Sequence, residues 1–428
     1  MSVTKNALRL SLLSAAALIG VSAQAQAAGF YIQEQSVRGL GSAFSGSVSN
    51  LADPSTIYFN PAGMTKLEGM QAQAAVNLLI PNSEVSDTGS TAAQTTVVGG
   101  PSGNPYDPTP VPNGFVSYQI NDRLWAGIGM TAPFGLGSDY GDNWFGRFDS
   151  TKTELAVIDI QPTIAYKVND MISLGAGLNI AHSSADLRNR VQLGVGQANE
   201  GFSKLTGDDW GFGYSFGVQL KPMPTTTIGI NYKSEVHHEL DGKIQVTTAN
   251  GTLVGAASSG GKAKLVTPDH LTFGVAHQVN SRLTVQGQAT WFGWNNFGSI
   301  DAYRDSGALA SSVQQNYQTT WAYALGAEYM ASDKWMLRGG VQFDATPTTD
   351  EYRTSRTPDG DRTWLSLGAT YAITPKIDLD MAGTYIFVED GTINLQRGGI
   401  SGVLAAGNMR AKTEGSVGII ATGVTYKF

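Results

Sequence analysis

The last thirteen residues, SVGIIATGVTYKF (Ser416–Phe428), put Val424, Tyr426 and Phe428 on one face of an extended strand and Gly423, Thr425 and Lys427 on the other. Side chains alternate across a strand, so one face is apolar and the other small or polar, as required of a wall between lipid and a wetter lumen. The pattern recurs at Phe212-Tyr214-Phe216-Val218-Leu220, Leu271-Phe273-Val275, Trp321-Tyr323-Leu325 and Leu365-Leu367-Ala369-Tyr371, with Gly, Ser, Ala, Thr or Gln mostly between. Repetition turns a local signal into an architecture: an all-β, antiparallel transmembrane barrel.

At the other end, Lys5 and Arg9 precede an apolar stretch from Leu10 to Val21 that ends in Ala25-Gln26-Ala27. This is the form of a secretory signal peptide, placing the mature start at Ala28. The stretch is too short for a membrane helix, which needs about 20 apolar residues, and no later run reaches that length. A membrane-integral chain of this kind must therefore cross as a closed barrel, which excludes an inner-membrane helical transporter. The 52 glycines and only 15% charged residues suit alternating strands. Cysteine is absent, which is compatible with an oxidising route to a bacterial outer membrane. The formal charge of −7 becomes −9 without Lys5 and Arg9, which argues against nucleic acid as a partner.

Connections alternate in length, as short inner turns and long outer loops require. Short polar turns fall at Asn121-Asp122-Arg123, Asn169-Asp170, Pro222-Met223-Pro224, Asn280-Ser281-Arg282, Ser332-Asp333-Lys334 and Thr374-Pro375-Lys376. Between them lie Gly-, Asn- and Asp-rich stretches at 82–112, 136–153, 187–209, 246–267, 301–317, 346–362 and 397–413. Seven loops and six turns give fourteen strands, an even number, with residues 69–428 forming the wall. Residues 28–68 remain outside it. A barrel this wide is not filled by wall side chains alone. The segment is rich in small residues and in the turn formers Asp53-Pro54 and Asn60-Pro61, yet its Phe30, Tyr31, Leu40, Phe44, Ile57, Tyr58 and Phe59 make it too apolar for a disordered tail. It is expected to be a plug, or hatch, inside the barrel.

Several elements stand in a specific order: Ala28-Gly29-Phe30, Gly39-Leu40-Gly41, Asn60-Pro61-Ala62, Pro133-Phe134-Gly135, Trp210-Gly211-Phe212-Gly213, Tyr232-Lys233-Ser234-Glu235-Val236, Trp321 to Gly326, Asp359-Gly360-Asp361-Arg362 and the final aromatic. In these the chain resembles the FadL-type outer-membrane transporters of long-chain fatty acids and related hydrophobic compounds. The resemblance implies fourteen strands plugged by an N-terminal hatch. It also implies capture at outer loops, passage to a lumen pocket beside the hatch N-terminus at Phe30, and lateral exit through a kinked third strand. Such a route keeps an apolar molecule out of water.

Carried onto this chain, the kink falls at Ala132-Pro133-Phe134-Gly135, where a missing ladder donor and a glycine break strand pairing. By the family's hatch motif, Asn60-Pro61-Ala62 is expected against that kink. Trp144, Phe145 and Phe148 cluster in a Gly- and Asp-rich loop, either as an exposed capture patch or as interface aromatics. The fatty-acid members contact the carboxylate with a basic residue beyond the fifth strand and a lysine before the tenth. Here Arg188 and Arg190 occupy the first stretch, and Gln318 stands at the lysine position. The alternative is therefore uptake of aromatic hydrocarbons or alkanes, which need no carboxylate clamp.

An outer-membrane hydrolase is disfavoured: His182-Ser183-Ser184 is the only close Ser/His grouping, and neighbours on a strand point to opposite faces. His237 and His238 lack a third ligand at useful spacing, so neither a metal nor another cofactor is expected. A general porin would need an open, charge-lined lumen, and an adhesive barrel would show no ligand uptake. The expected partners are a long-chain fatty acid or other hydrophobic molecule and outer-membrane lipid, with the protein a monomer.

Overall fold

The computed structural model describes residues 28–92, 98–397 and 407–428. The leader expected over 1–27 lies outside them.

Strand alternation builds one closed antiparallel sheet from eighteen segments. The first six are β1 (Met70–Asp87), β2 (Thr109–Asn121), β3 (Leu124–Asp139), β4 (Lys152–Lys167), β5 (Ile172–Gln192) and β6 (Glu200–Met223). Next come β7 (Thr226–Lys233), β8 (Val236–Thr247), β9 (Ser259–Thr267), β10 (His270–Gln278), β11 (Leu283–Phe292), β12 (Ser299–Arg304), β13 (Leu309–Gln314) and β14 (Thr320–Ser332). The last are β15 (Trp335–Asp344), β16 (Arg362–Thr374), β17 (Ile377–Arg397) and β18 (Gly407–Lys427). Four wall strands are interrupted, β7 continuing as β8, β9 as β10, β11 as β12 and β13 as β14, so the wall has fourteen strands. β18 pairs with β1 from Gln71↔Lys427 to Asp87↔Ala411, which closes the barrel.

The outward face carries the apolar residues read from the sequence: Phe212, Tyr214, Phe216, Tyr323, Leu325, Leu367, Val424 and Phe428 are all exposed. The inward face is polar, with Gln161, Gln219, Gln286, Gln288, Gln342, Asp378 and Asp380 buried. The six turns fall where expected. The outer loops are shorter than expected, because β5 and β6 pair as far as Gln192↔Glu200 and β8 and β9 as far as Ile244↔Ser259. Beyond the lipid the strands continue as polar ribbons, and their mixed composition reads as loop although their backbone still pairs.

The four interruptions lie side by side, forming a crease across adjacent wall strands. Lys233↔His270 is the last pair on one side and Val236↔Thr267 the first on the other. The next two strands separate between Phe292↔Thr320 and Ser299↔Gln314. Pro268 lacks a ladder donor, and the turn Trp294–Asn296 diverts the chain inward. Outside the crease, β8, β9, β12 and β13 form a flap with its own small core of Ile244, Ala263 and Ala302.

Residues 28–67 lie within the barrel, and nearly all are buried. The backbone of this hatch meets the inward side chains directly. Trp125 Nε1 donates to Leu67 O at 2.7 Å, Gln161 Nε2 to Ile57 O at 2.7 Å, Gln219 Nε2 to Val48 O at 3.0 Å and Asn77 Nδ2 to Glu34 O at 2.7 Å. An irregular segment has few internal partners for its carbonyls, and the wall amides supply them. One buried ionic cluster adds to this. Arg38, in the helix Val37–Gly41, meets Asp378 and Asp380 of β17 at 2.9 Å each and Asp53 of the hatch at 3.2 Å.

Candidate functional site

The wall opens at β3. Ladder bonds between β2 and β3 run from Asn121↔Leu124 to Gly114↔Met130 and then stop, while β2 continues to pair with β1 up to Leu79↔Thr109. On its other side β3 slips against β4 between Thr131↔Asp159 and Phe134↔Val157, leaving Ala132 and Pro133 as an inserted bulge. The kink lies at the residues that the sequence singled out.

The β2-side edge of β3 is covered by the start of the hatch. Ile32 N donates to Pro133 O at 2.7 Å, and Gly135 N donates to Phe30 O at 2.9 Å, with Tyr31 bridging Phe134 antiparallel. The Gln35 side chain completes the edge, its Nε2 donating to Ala132 O at 2.8 Å and its Oε1 accepting from Ala132 N at 3.2 Å. The hatch thus acts as a short surrogate strand where β2 has departed. Next to it, Glu34 is fully buried, and burial pushes its carboxyl up to about 7.

Asn60-Pro61-Ala62 is not at the kink, contrary to expectation. Asn60 Nδ2 donates to Val48 O at 2.8 Å and to Val218 O of β6 at 3.1 Å, and its Oδ1 accepts from Ala62 N at 3.1 Å. A Cβ on Gly217 would collide with Asn60 Oδ1, and one on Gly175 with Ala62 N. The physical reason for the placement is this close approach, which only those two bare wall positions on β6 and β5 admit. Gly217→Val is therefore expected to dislodge this end of the hatch without unpairing β6, read as raised ion conductance in a planar bilayer; unchanged conductance of the inserted variant would show that the motif is not an anchor.

Phe30 separates the kink from an apolar cavity whose empty space, counted together with the solvent it opens onto, is about 690 Å3. Its walls are Leu136 and Leu155 of β3 and β4, Leu187 and Leu205 of β5 and β6, Leu240 and Leu265 of the flap and its junction, and Phe297 and Ile300 beside the crease. Phe30 packs edge-on against Trp294 at 4.9 Å and Phe297 at 5.1 Å, and lies 5.7 Å from Phe134. One residue therefore touches the cavity, the crease and the kink. Polar groups are confined to Thr153, Thr206, Gln315, Arg356 and Thr357, together with Lys264. Lys264 lies on the exposed face of β9 and Arg356 in the loop before β16. The Arg356 guanidinium donates to Asp149 O at 2.9 Å, Ser150 Oγ at 3.1 Å, Thr153 Oγ1 at 2.9 Å and Arg188 O at 3.2 Å, which fixes it at the rim.

Two expectations from the sequence need correction. Arg188 and Arg190 belong to the outward phase of β5, opposite to Ala181, Ser183, Ala185 and Leu187. Arg188 pairs with Asp186 at 2.7 Å, and the Arg190 guanidinium lies 3.9 Å from the Phe202 ring centre, so neither lines the cavity. Trp144, Phe145 and Phe148 are buried rather than exposed. Tyr140 stacks on Trp144 at 4.0 Å, and Trp144 Nε1 donates to Ser150 O at 2.6 Å. With Phe145 they form the core of an outer cap over Val85, Ile393 and Met409, because the loop folds inward across the barrel mouth.

The family described as outer membrane protein transport protein (OMPP1/FadL/TodX) matches residues 18–428. The chain belongs to it. The protein is thus an outer-membrane channel of the FadL/TodX type for hydrophobic compounds. The long-chain fatty acid transport protein of Escherichia coli is 25% identical, with 97% of each chain covered. Outer membrane protein P1 of Haemophilus influenzae is 29% identical, covering 88% of this chain and 89% of that one. Among solved structures, a Pseudomonas aeruginosa FadL homologue superposes with a TM-score of 0.87 at 27% identity, over 94% of this chain and all of the other. The Pseudomonas putida toluene transporter TodX shares the fold, with a TM-score of 0.69 at 16% identity over 94% of this chain and 100% of that one.

Proposed function

We propose that this FadL-family channel takes up long-chain fatty acids, binding the chain in the apolar cavity and releasing it sideways between β2 and β3. The observation that supports this reading is the composition of the cavity wall. Leucine and phenylalanine side chains form a surface suited to an alkyl chain, and a buried guanidinium stands at one end. Burying alkyl surface yields about 0.8 kcal/mol per methylene, so length is favoured over polarity along the body of the ligand. A carboxylate reaching Arg356 would take up charge-assisted hydrogen bonds from its guanidinium, and such bonds are roughly twice as strong as neutral ones. Residue 30 lies between this cavity and the edge of β3 that β2 leaves and the hatch covers, so displacement of the hatch start joins the two.

Uptake of a labelled long-chain fatty acid by cells that depend on this protein tests the reading, and failure to take up any long-chain fatty acid would refute it. Arg356→Gln is expected to weaken binding of the acid by about 1.5–3 kcal/mol, or tenfold and more, while leaving its methyl ester unchanged. Equal loss for both ligands would make Arg356 a brace of the outer loops.

A second reading, uptake of neutral hydrocarbons, is favoured by the outward placement of Arg188 and Arg190 and by Gln318, a neutral side chain at the family's lysine position. A wild-type protein that binds acid and ester equally well would support it.

A further inference from the structure

We propose that the inner rim of the barrel is a docking surface for anionic phospholipid of the periplasmic leaflet. Each of the six short turns carries one basic residue, in the turn itself or within two residues of it: Arg123, Lys167, Lys221, Arg282, Lys334 and Lys376. The same stretches hold four carboxylates, Asp122, Asp170, Asp333 and Asp378, the last of them already paired with Arg38 and Lys427, so cations outnumber carboxylates on a mature chain whose net charge is −9.

Only Lys167 has a protein counter-charge, Asp170 at 2.8 Å. The other five are exposed, and among the described residues none of them makes an ion pair. The loop side is mixed: there Lys152, Arg188, Lys204, Lys262 and Lys412 each pair with a carboxylate on the outer surface, whereas Lys243, Lys264 and Arg410 are exposed without an ion pair among the described residues.

Position supplies the partner. Just above the turns, Tyr166, Trp335 and Tyr426 are exposed, with Tyr371 half-buried 4.7 Å from the Trp335 ring, an aromatic belt of the kind that marks the membrane interface. The five cations therefore sit at headgroup depth. Phosphates there offer acceptors at that level, and a lipid with net negative charge supplies the missing counter-charge without bringing an ammonium with it.

The test uses the full-length protein reconstituted in mixed phosphatidylcholine and phosphatidylglycerol, with spin-labelled versions of each lipid reporting relative association at the barrel surface. Phosphatidylglycerol is expected to be preferred roughly fivefold at low salt, falling toward no preference at about 0.5 M salt. The R123Q/K221Q/R282Q/K334Q/K376Q variant is expected to lose the preference, and each single substitution to lose part of it should the quintuple variant not refold. Inorganic phosphate at matched ionic strength is expected not to displace the lipid. No preference in the wild type would overturn the proposal and leave solvent or an acidic periplasmic protein as the counter-charge. An unchanged preference in the variants would overturn it equally.

Discussion

A Tyr31→Cys, Phe134→Cys variant is expected to lose hydrophobic uptake when oxidised and to regain it on reduction. The two residues face each other in an antiparallel bridge, where Cα atoms lie about 4.5–5.5 Å apart, within the range a disulfide spans. The chain has no cysteine of its own, so the introduced pair has no competing thiol. The bond would fix the surrogate strand to the kinked edge of β3 that it now holds through Ile32, Gly135 and Gln35. Barrel closure does not depend on that contact, because β1 and β18 are paired over their whole common length. The single-cysteine variants should behave as wild type. Full uptake by the oxidised double variant, with the disulfide verified on the purified protein, would remove the β2–β3 edge as the exit.

The second large effect is expected from Arg38→Met. Arg38 neutralises Asp53, Asp378 and Asp380 in a site from which water is largely excluded, and removing it leaves three carboxylates with only Lys427, 2.8 Å from Asp378. Breaking one side of a buried ion pair costs about 3–5 kcal/mol, because the orphaned charge remains buried. The hatch is tied to the wall elsewhere chiefly by neutral amides. The expected outcome is release of the hatch from β17, seen as a stepwise increase in single-channel conductance while the barrel still runs as a heat-resistant species. Arg38→Lys should fall between, since lysine keeps the charge but not the fork that reaches two carboxylates. Wild-type conductance in Arg38→Met would mean that the amide contacts alone hold the hatch.

The wall was readable because lipid enforces a period of two on one face: Val424, Tyr426 and Phe428 announce their side of the sheet without any knowledge of their neighbours. The kink was readable for a similar local reason, since Pro133 cannot complete a ladder whatever surrounds it. Arg188 was within reach of the same logic. Extending the alternation of Ala181, Ser183 and Ala185 by one more residue pair assigns it outward, but a loop boundary placed at residue 187 concealed the phase. Trp144 and Arg356 were beyond it. Both sit in loops without periodicity, and their burial depends on segments distant in sequence, Met409 over the former and Ser150 and Thr153 beside the latter. The seats of Asn60 and Ala62 at Gly217 and Gly175 have the same character, because a bare position in a strand announces room without naming what fills it.

The crease has a consequence for how such a protein diversifies. Ladder bonds are interrupted along it, so the flap formed by β8, β9, β12 and β13 is joined to the lipid-embedded wall by four short links and, along one side only, by the pairing of β8 with the outer part of β6. Leu240 belongs to the flap and Leu155 to the wall, yet both line the same cavity. Substitutions in the flap can therefore accumulate with less disturbance to the lipid-embedded wall, and those at its cavity-lining positions alter the lid of the ligand chamber as they do so. Variation of the outer surface and drift in ligand preference would then be inherited together.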